Sequence, residues 1–144
     1  MNERIESFSG AHAFLSNFHP SPIIYSGTAF ATAEHAFQAS KTGNSTQREQ
    51  IRNAKTPGEA KRLGKKVTLR PDWDSIRIKI MGEILRKKFA PGADLARQLS
   101  TTDEAELIEG NTWNDRFWGV CKGEGKNNLG KILMQIRAEL KSNQ

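Results

Sequence analysis

Between residues 72 and 89 the apolar side chains recur at helical spacing, and no other stretch constrains the fold as strongly. Trp73, Ile76, Ile80 and Ile84 form one row and Met81, Leu85 and Phe89 its neighbour, so a two-sided apolar face must be buried along a helix of about five turns. Pro91-Gly92 ends it. A second periodic segment, residues 129–140, puts Leu129, Ile132, Leu133, Ile136 and Leu140 on one face.

Shorter elements are read from their punctuation. Ile23-Ile24-Tyr25, Ser26-Gly27 and Thr28-Ala29-Phe30 make a hairpin. Thr32 then has the hydroxyl of an N-cap, so a helix begins at Ala33. Residues 45–54 read as helix. Thr56-Pro57-Gly58-Glu59 has capping-box spacing with proline at the first position, giving a helix over 57–63 that stops at Gly64. A helical turn or two surrounds residues 95–99, and Leu107-Ile108 reads as a short strand. Residues 110–128, rich in Gly, Asn and Trp, read as a long loop without periodicity. The expectation is one α+β domain over residues 1–144, dominated by helix, with a small N-terminal β-hairpin.

The 144 residues suffice for one hydrophobic core. No stretch approaches the ~20 apolar residues of a membrane span, and Met1-Asn2-Glu3-Arg4-Ile5-Glu6 lacks the apolar run of a signal peptide. Cys121 is a single cysteine, which fits a reducing cytoplasm. A net charge of +6 favours an anionic partner such as nucleic acid, nucleotide or phosphate over the bland reading of a merely basic surface. His12, His19 and His35 are scattered, no H-E-x-x-H or H-x-x-E-H occurs, and neither a metal nor a cofactor is expected. There is no G-x-S-x-G, and Cys121 has no histidine nearby in sequence.

Three segments carry the chemistry. In the helix that begins at Ala33, Glu34, Gln38 and Lys41 fall at i, i+4 and i+7, opposite Ala33, Ala36, Phe37 and Ser40. The small and aromatic neighbours make that polar stripe the wall of a cavity, with Glu34 partly desolvated. Gly123-Glu124-Gly125-Lys126-Asn127-Asn128-Leu129-Gly130 lacks the spacing of a phosphate loop. It is a glycine turn with a lysine at a helix start, capped by Asn127 or Asn128, whose free N–H groups favour an anion. Trp113-Asn114-Asp115-Arg116-Phe117-Trp118 sets aromatic surface beside hydrogen-bonding groups. Trp113 reads better as core; Trp73 reads equally as core or as a ring platform. Asn17, in Leu15-Ser16-Asn17-Phe18, either caps a turn or points into the cavity, and the turn is preferred.

Together these segments, with Arg70-Pro71-Asp72-Trp73, come in the order found in the NADAR superfamily, the YbiA-like proteins named for NAD and ADP-ribose metabolism, and the chain resembles that family from Phe14 to Leu140. The resemblance implies an N-glycosidase cutting the bond from ribose C1 to nitrogen. It implies either of two substrates, ADP-ribose on guanine in nucleic acid or a phosphoribosylamino intermediate of riboflavin synthesis, the former with a partner ADP-ribosyltransferase. Such chemistry passes through an oxocarbenium-like transition state. It assigns Glu34 to the ribose face and Asp115 to a second carboxylate role, with Lys41 as a possible Schiff-base nucleophile on opened ribose. Gly125, Lys126 and Asn127 would hold phosphate, Trp118 and Trp73 would sandwich the ring, and Asn17, His35 and Gln38 would contact substrate. A non-catalytic ADP-ribose reader would keep the aromatic and anion sites without needing Glu34; a general nucleic-acid-binding module would need no inward carboxylate.

Overall fold

The computed structural model describes residues 3–143. They gather into two compact units, one of residues 17–88 and one of residues up to 16 together with those from 89 onward.

The 17–88 unit opens on the hairpin, β2 (Ile23–Tyr25) and β3 (Thr28–Phe30), which follows the two-residue strand β1 (Arg4–Ile5) of the other unit. Ile23 pairs with Phe30 and Tyr25 with Thr28. Ser26 and Gly27 both take positive φ, 51° and 76°, as a tight turn joining right-twisted strands requires. Helix α1 (Ala33–Ala39) starts where Thr32 accepts from the His35 backbone N–H. Next come α2 (Ser45–Arg52), α3 (Pro57–Gly64) and α4 (Trp73–Lys88). At α3 the Thr56 hydroxyl accepts from Glu59 N–H, while the Glu59 carboxylate reaches back to Lys55 N–H at 3.0 Å. Ala33, Ala36, Phe37, Ile51, Ala60, Ile80, Met81, Ile84 and Leu85 are buried. Helix α1 is buried on every side, so its polar residues lie inside the protein.

In the other unit α5 (Asp94–Thr101) is longer than the one or two turns expected, and α6 runs Asn128–Ser142. Strand β4 (Glu106–Leu107) starts one residue before the expected Leu107-Ile108 and pairs parallel with β1. Residues 110–128 are not a plain loop: β5 (Gly110–Asn111) and β6 (Val120–Cys121) pair in parallel within them. Strands of two residues leave no alternating pattern to read. Leu99, Leu107, Leu129, Leu133 and Ile136 form the buried side of this unit. Helix predominates and strands are short, an α+β fold. Among the described residues no helix is long and apolar enough to cross a membrane.

Candidate active site

Glu34 occupies the first turn of α1, 8% exposed. Its backbone N–H donates to Asn17 O at 3.1 Å, which fixes the helix start against the segment before the hairpin. One turn on, Gln38 Nε2 donates to Glu34 Oε2 at 2.5 Å. Burial pushes the Glu34 carboxyl above its usual range, against smaller opposing effects of the Gln38 bond and of Lys61 and Lys41. A buried carboxyl held partly toward its protonated form suits acid–base work.

Lys41 lies past the end of α1, in the turn that follows, rather than on the helix itself. Its backbone N–H still reaches Gln38 O at 3.2 Å, and its carbonyl accepts from Arg70 N–H at 2.8 Å. The backbone of the Arg70-Pro71-Asp72-Trp73 segment thus anchors the lysine. Burial lowers the Lys41 amine, Glu34 opposes that, and Lys61, Lys65 and Arg77 reinforce it.

Both ring nitrogens of His35 have protein partners. The residue is 1% exposed, with Nδ1 2.8 Å from Thr32 Oγ1 and Nε2 3.0 Å from Ala54 O. A carbonyl only accepts, so Nε2–H donates to Ala54 O, and with Thr32 at Nδ1 the ring locks the start of α1. Trp73 is core rather than a ring platform: it is 5% exposed and its ring centroid lies 5.1 Å from that of Phe37. Asn17 is buried at 8% exposure; its Nδ2 reaches Met81 Sδ at 3.5 Å. Asn17 Oδ1 and Gln38 Oε1 are buried without a hydrogen-bond partner, and such orphan acceptors are costly unless something meets them.

The remaining sequence candidates belong to the other unit. Asp115 Oδ1 accepts from Phe117 N–H at 3.1 Å and Trp118 N–H at 2.9 Å, so that oxygen shapes the loop. Trp118 is half-buried, edge-on to Phe117 at 4.8 Å. Trp113, expected in the core, is 59% exposed. Lys126 is exposed, its Nζ 5.7 Å from the Phe117 ring centroid.

The free N–H groups expected at the start of α6 are not free. Those of Lys126, Asn127, Asn128 and Leu129 donate to the carbonyls of Arg116, Gly119, Phe117 and Trp118. Asn127 is the N-cap by position but makes no side-chain cap. Instead its amide accepts from Glu109 N–H at 3.0 Å and donates to Leu107 O at 2.9 Å. Gly125 has φ 152°, and a Cβ there would lie 2.1 Å from Gly119 O. The glycine turn is therefore a close backbone crossing, with the Lys126 amine left as its cation.

Sequence reasoning missed Lys61, Lys65 and Arg77, whose charges act on Lys41. It also missed Gly64, where a Cβ would sit 1.9 Å from Gln38 Oε1. Lys88 was missed as well: it is 3% exposed, and burial pushes its amine down to about 7. Each depends on how helices pack, which no local signal reports. Among the described residues no group of three or more His, Cys, Asp or Glu side chains is placed to hold a metal ion.

The NADAR domain family matches residues 5–141. N-glycosidase YbiA of Escherichia coli strain K12 is 39% identical over 137 residues, covering 93% of this chain and 85% of that protein. A riboflavin biosynthesis protein of Vibrio vulnificus is 40% identical over 132 residues, covering 90% of this chain but 36% of that longer protein. The NMR structure of Escherichia coli YbiA is similar with a TM-score of 0.86 and 36% identity, covering 99% of this chain and 88% of that one.

Proposed function

The chain belongs to the NADAR family, and from that premise we propose that it hydrolyses the bond between ribose C1 and a nitrogen, acting on ADP-ribose attached to guanosine in DNA. The observation that carries this reading is the Glu34 carboxyl, buried, raised above its usual range and bonded to Gln38. Relatives named N-glycosidase support the reaction class.

In the reaction, Glu34 gives its proton to the leaving nitrogen as the C1–N bond breaks, and the electron pair of that bond leaves with the ring. The carboxylate so formed faces the positive charge developing at C1. Water then adds to C1 and returns a proton to Glu34. In the Schiff-base variant the ring-opened N-glycoside carries a C1=N bond; Lys41, its amine lowered by burial, adds to C1 and expels the leaving nitrogen with its proton, and water then hydrolyses the lysine Schiff base to free the sugar. The net charge of +6 supports a nucleic-acid substrate.

A second substrate reading, the phosphoribosylamino intermediates of riboflavin synthesis, is favoured by the relative named for riboflavin biosynthesis. Incubating the protein with DNA carrying ADP-ribosylated guanosine and, separately, with those intermediates, while mass spectrometry follows the released sugar, tests the proposal. Release of ADP-ribose from the DNA is expected. Cleavage of the riboflavin intermediates alone would move the assignment to them, and no cleavage of either would leave a binding module.

A further inference from the structure

Helix α3 closes on α1 at Gly64. A Cβ there would lie 1.9 Å from Gln38 Oε1, 2.7 Å from Gln38 Cδ and 3.1 Å from Gln38 Cβ, so glycine leaves room for the amide where any side chain would displace it. The Cα hydrogen that stands in place of that Cβ points toward Gln38 Oε1. This oxygen is buried and has no hydrogen-bond partner, and a Cα–H is a weak donor to a carbonyl oxygen. Turning the amide over would press its NH2 hydrogens against the same Cα–H, a contact between like partial charges. It would also set Gln38 Oε1 against Glu34 Oε2, which accepts from Nε2 at 2.5 Å. Both contacts hold the amide one way round, N–H toward the carboxyl and carbonyl toward Gly64. Gln38 is 4% exposed, so water does not compete for either end.

We propose that Gln38, oriented by Gly64, is a positioning residue that decides which oxygen of Glu34 carries the transferable proton. The inference rests on the reading of Glu34 as the proton donor. A neutral carboxyl has one hydroxyl that donates and one carbonyl oxygen that accepts. The Gln38 N–H occupies Oε2, which makes Oε2 the carbonyl oxygen and leaves the proton on Oε1. Among the described residues no group bonds Oε1. With the amide reversed, Gln38 Oε1 would instead accept from a hydroxyl at Oε2, and the proton would be held between the two side chains. The orientation set at Gly64 thus separates a carboxyl that offers its proton from one that keeps it.

The same bond acts once the proton has left. Gln38 N–H then becomes a charge-assisted donor to the carboxylate. It works against burial, as do Lys61 of α3, Lys41 beyond the end of α1 and His35 within it. Gln38 therefore steadies the ionised form without removing the bias toward the neutral one.

The test has one arm on the wild type and one on variants. In the wild type, the side-chain amide resonances of Gln38 should change with pH at the midpoint of the Glu34 carboxyl, followed by 13C NMR. Amide resonances that ignore that titration overturn the proposal. Gln38→Met keeps much of the shape but has no donor; circular dichroism checks its fold. Its Glu34 carboxyl should titrate about 1–2 higher in pH than in wild type, as loss of a hydrogen bond to a charged group implies. On whichever of the two substrates the wild type cleaves, kcat should fall roughly tenfold with KM within about twofold, and the alkaline limb of the pH–rate profile should rise with the carboxyl. Gln38→Glu puts an acceptor opposite Oε2, draws the proton there and should lower kcat by roughly 10²-fold. A folded Gln38→Met protein with the wild-type carboxyl titration overturns the proposal, because packing alone would then explain the residue. The two readings fail separately. A carboxyl that moves in Gln38→Met while Glu34→Gln keeps its turnover removes Glu34 from the chemistry and leaves the hold of Gln38 on its proton. Loss of turnover in Glu34→Gln, with no change of titration in Gln38→Met, does the reverse.

Discussion

Gln38 donates to Glu34 across one turn of the seven-residue helix α1, Nε2 to Oε2, at 2.5 Å. The bond favours the ionised carboxylate while burial disfavours it, and burial is the larger effect. The net effect biases Glu34 toward its neutral form.

Replacing Glu34 by glutamine keeps the shape and an acceptor for Gln38 but removes the proton and the charge. Turnover of the N-glycoside should fall by roughly 10²–10⁴ with little change in ligand affinity. Stability should move the other way. Because the folded-state pKa is raised, the native protein keeps a proton that the unfolded chain has lost, and wild-type stability declines as pH rises through that window. Glu34→Gln should therefore melt higher than wild type at neutral pH and match it once the pH is well below the ordinary carboxylate range. Thermal melts across that range together with steady-state kinetics check both halves; near-wild-type turnover would take Glu34 out of the mechanism.

Gly64→Ala would put a Cβ 1.9 Å from Gln38 Oε1. The Gln38 amide must swing away and release Glu34 Oε2. Losing that bond removes a stabiliser of the carboxylate, so the alkaline limb of the pH–rate profile should shift upward as activity falls. A variant whose rate drops while its profile stays in place would show that Gly64 serves packing alone.

Lys88 closes α4 with a side chain 3% exposed and an amine pushed down to about 7 by burial. Between about pH 7 and its ordinary value of 10.5 the unfolded chain holds a proton that the native state lacks, so this residue makes stability rise with pH there, and its penalty is complete below about 7. Lys88→Met should gain most in melting temperature near the acid end of that range and lose the advantage toward the alkaline end. A gain independent of pH would mean that the lysine is kept charged by a partner.

Salt separates the two substrate classes. On ADP-ribosylated DNA, activity should fall steeply between about 50 and 200 mM salt, because backbone phosphates release counterions to the basic surface. A modified mononucleoside should respond much less. Equal salt profiles would make the net charge incidental and favour the riboflavin intermediates.

Local elements are legible in the sequence. The Ser26-Gly27 turn, the Thr32 and Thr56 caps and the periodic rows of α4 and α6 are encoded within a few residues, and each appears where that encoding puts it. The spacing of Glu34 and Gln38 placed them on one stripe of the helix, where i and i+4 are neighbours, and the structure joins them by a hydrogen bond. Tertiary structure decided what the neighbours do. It locked His35 between Thr32 and Ala54, and it packed Trp73 on Phe37. The carbonyls of Arg116 to Gly119 occupied the N–H groups that start α6, and packing brought the charges of Lys61, Lys65 and Arg77 to bear on Lys41. Those outcomes depend on contacts between residues distant along the chain. A helix face shows that it must be buried, but which partner buries it, and which charges arrive with that partner, is fixed only when the helices pack.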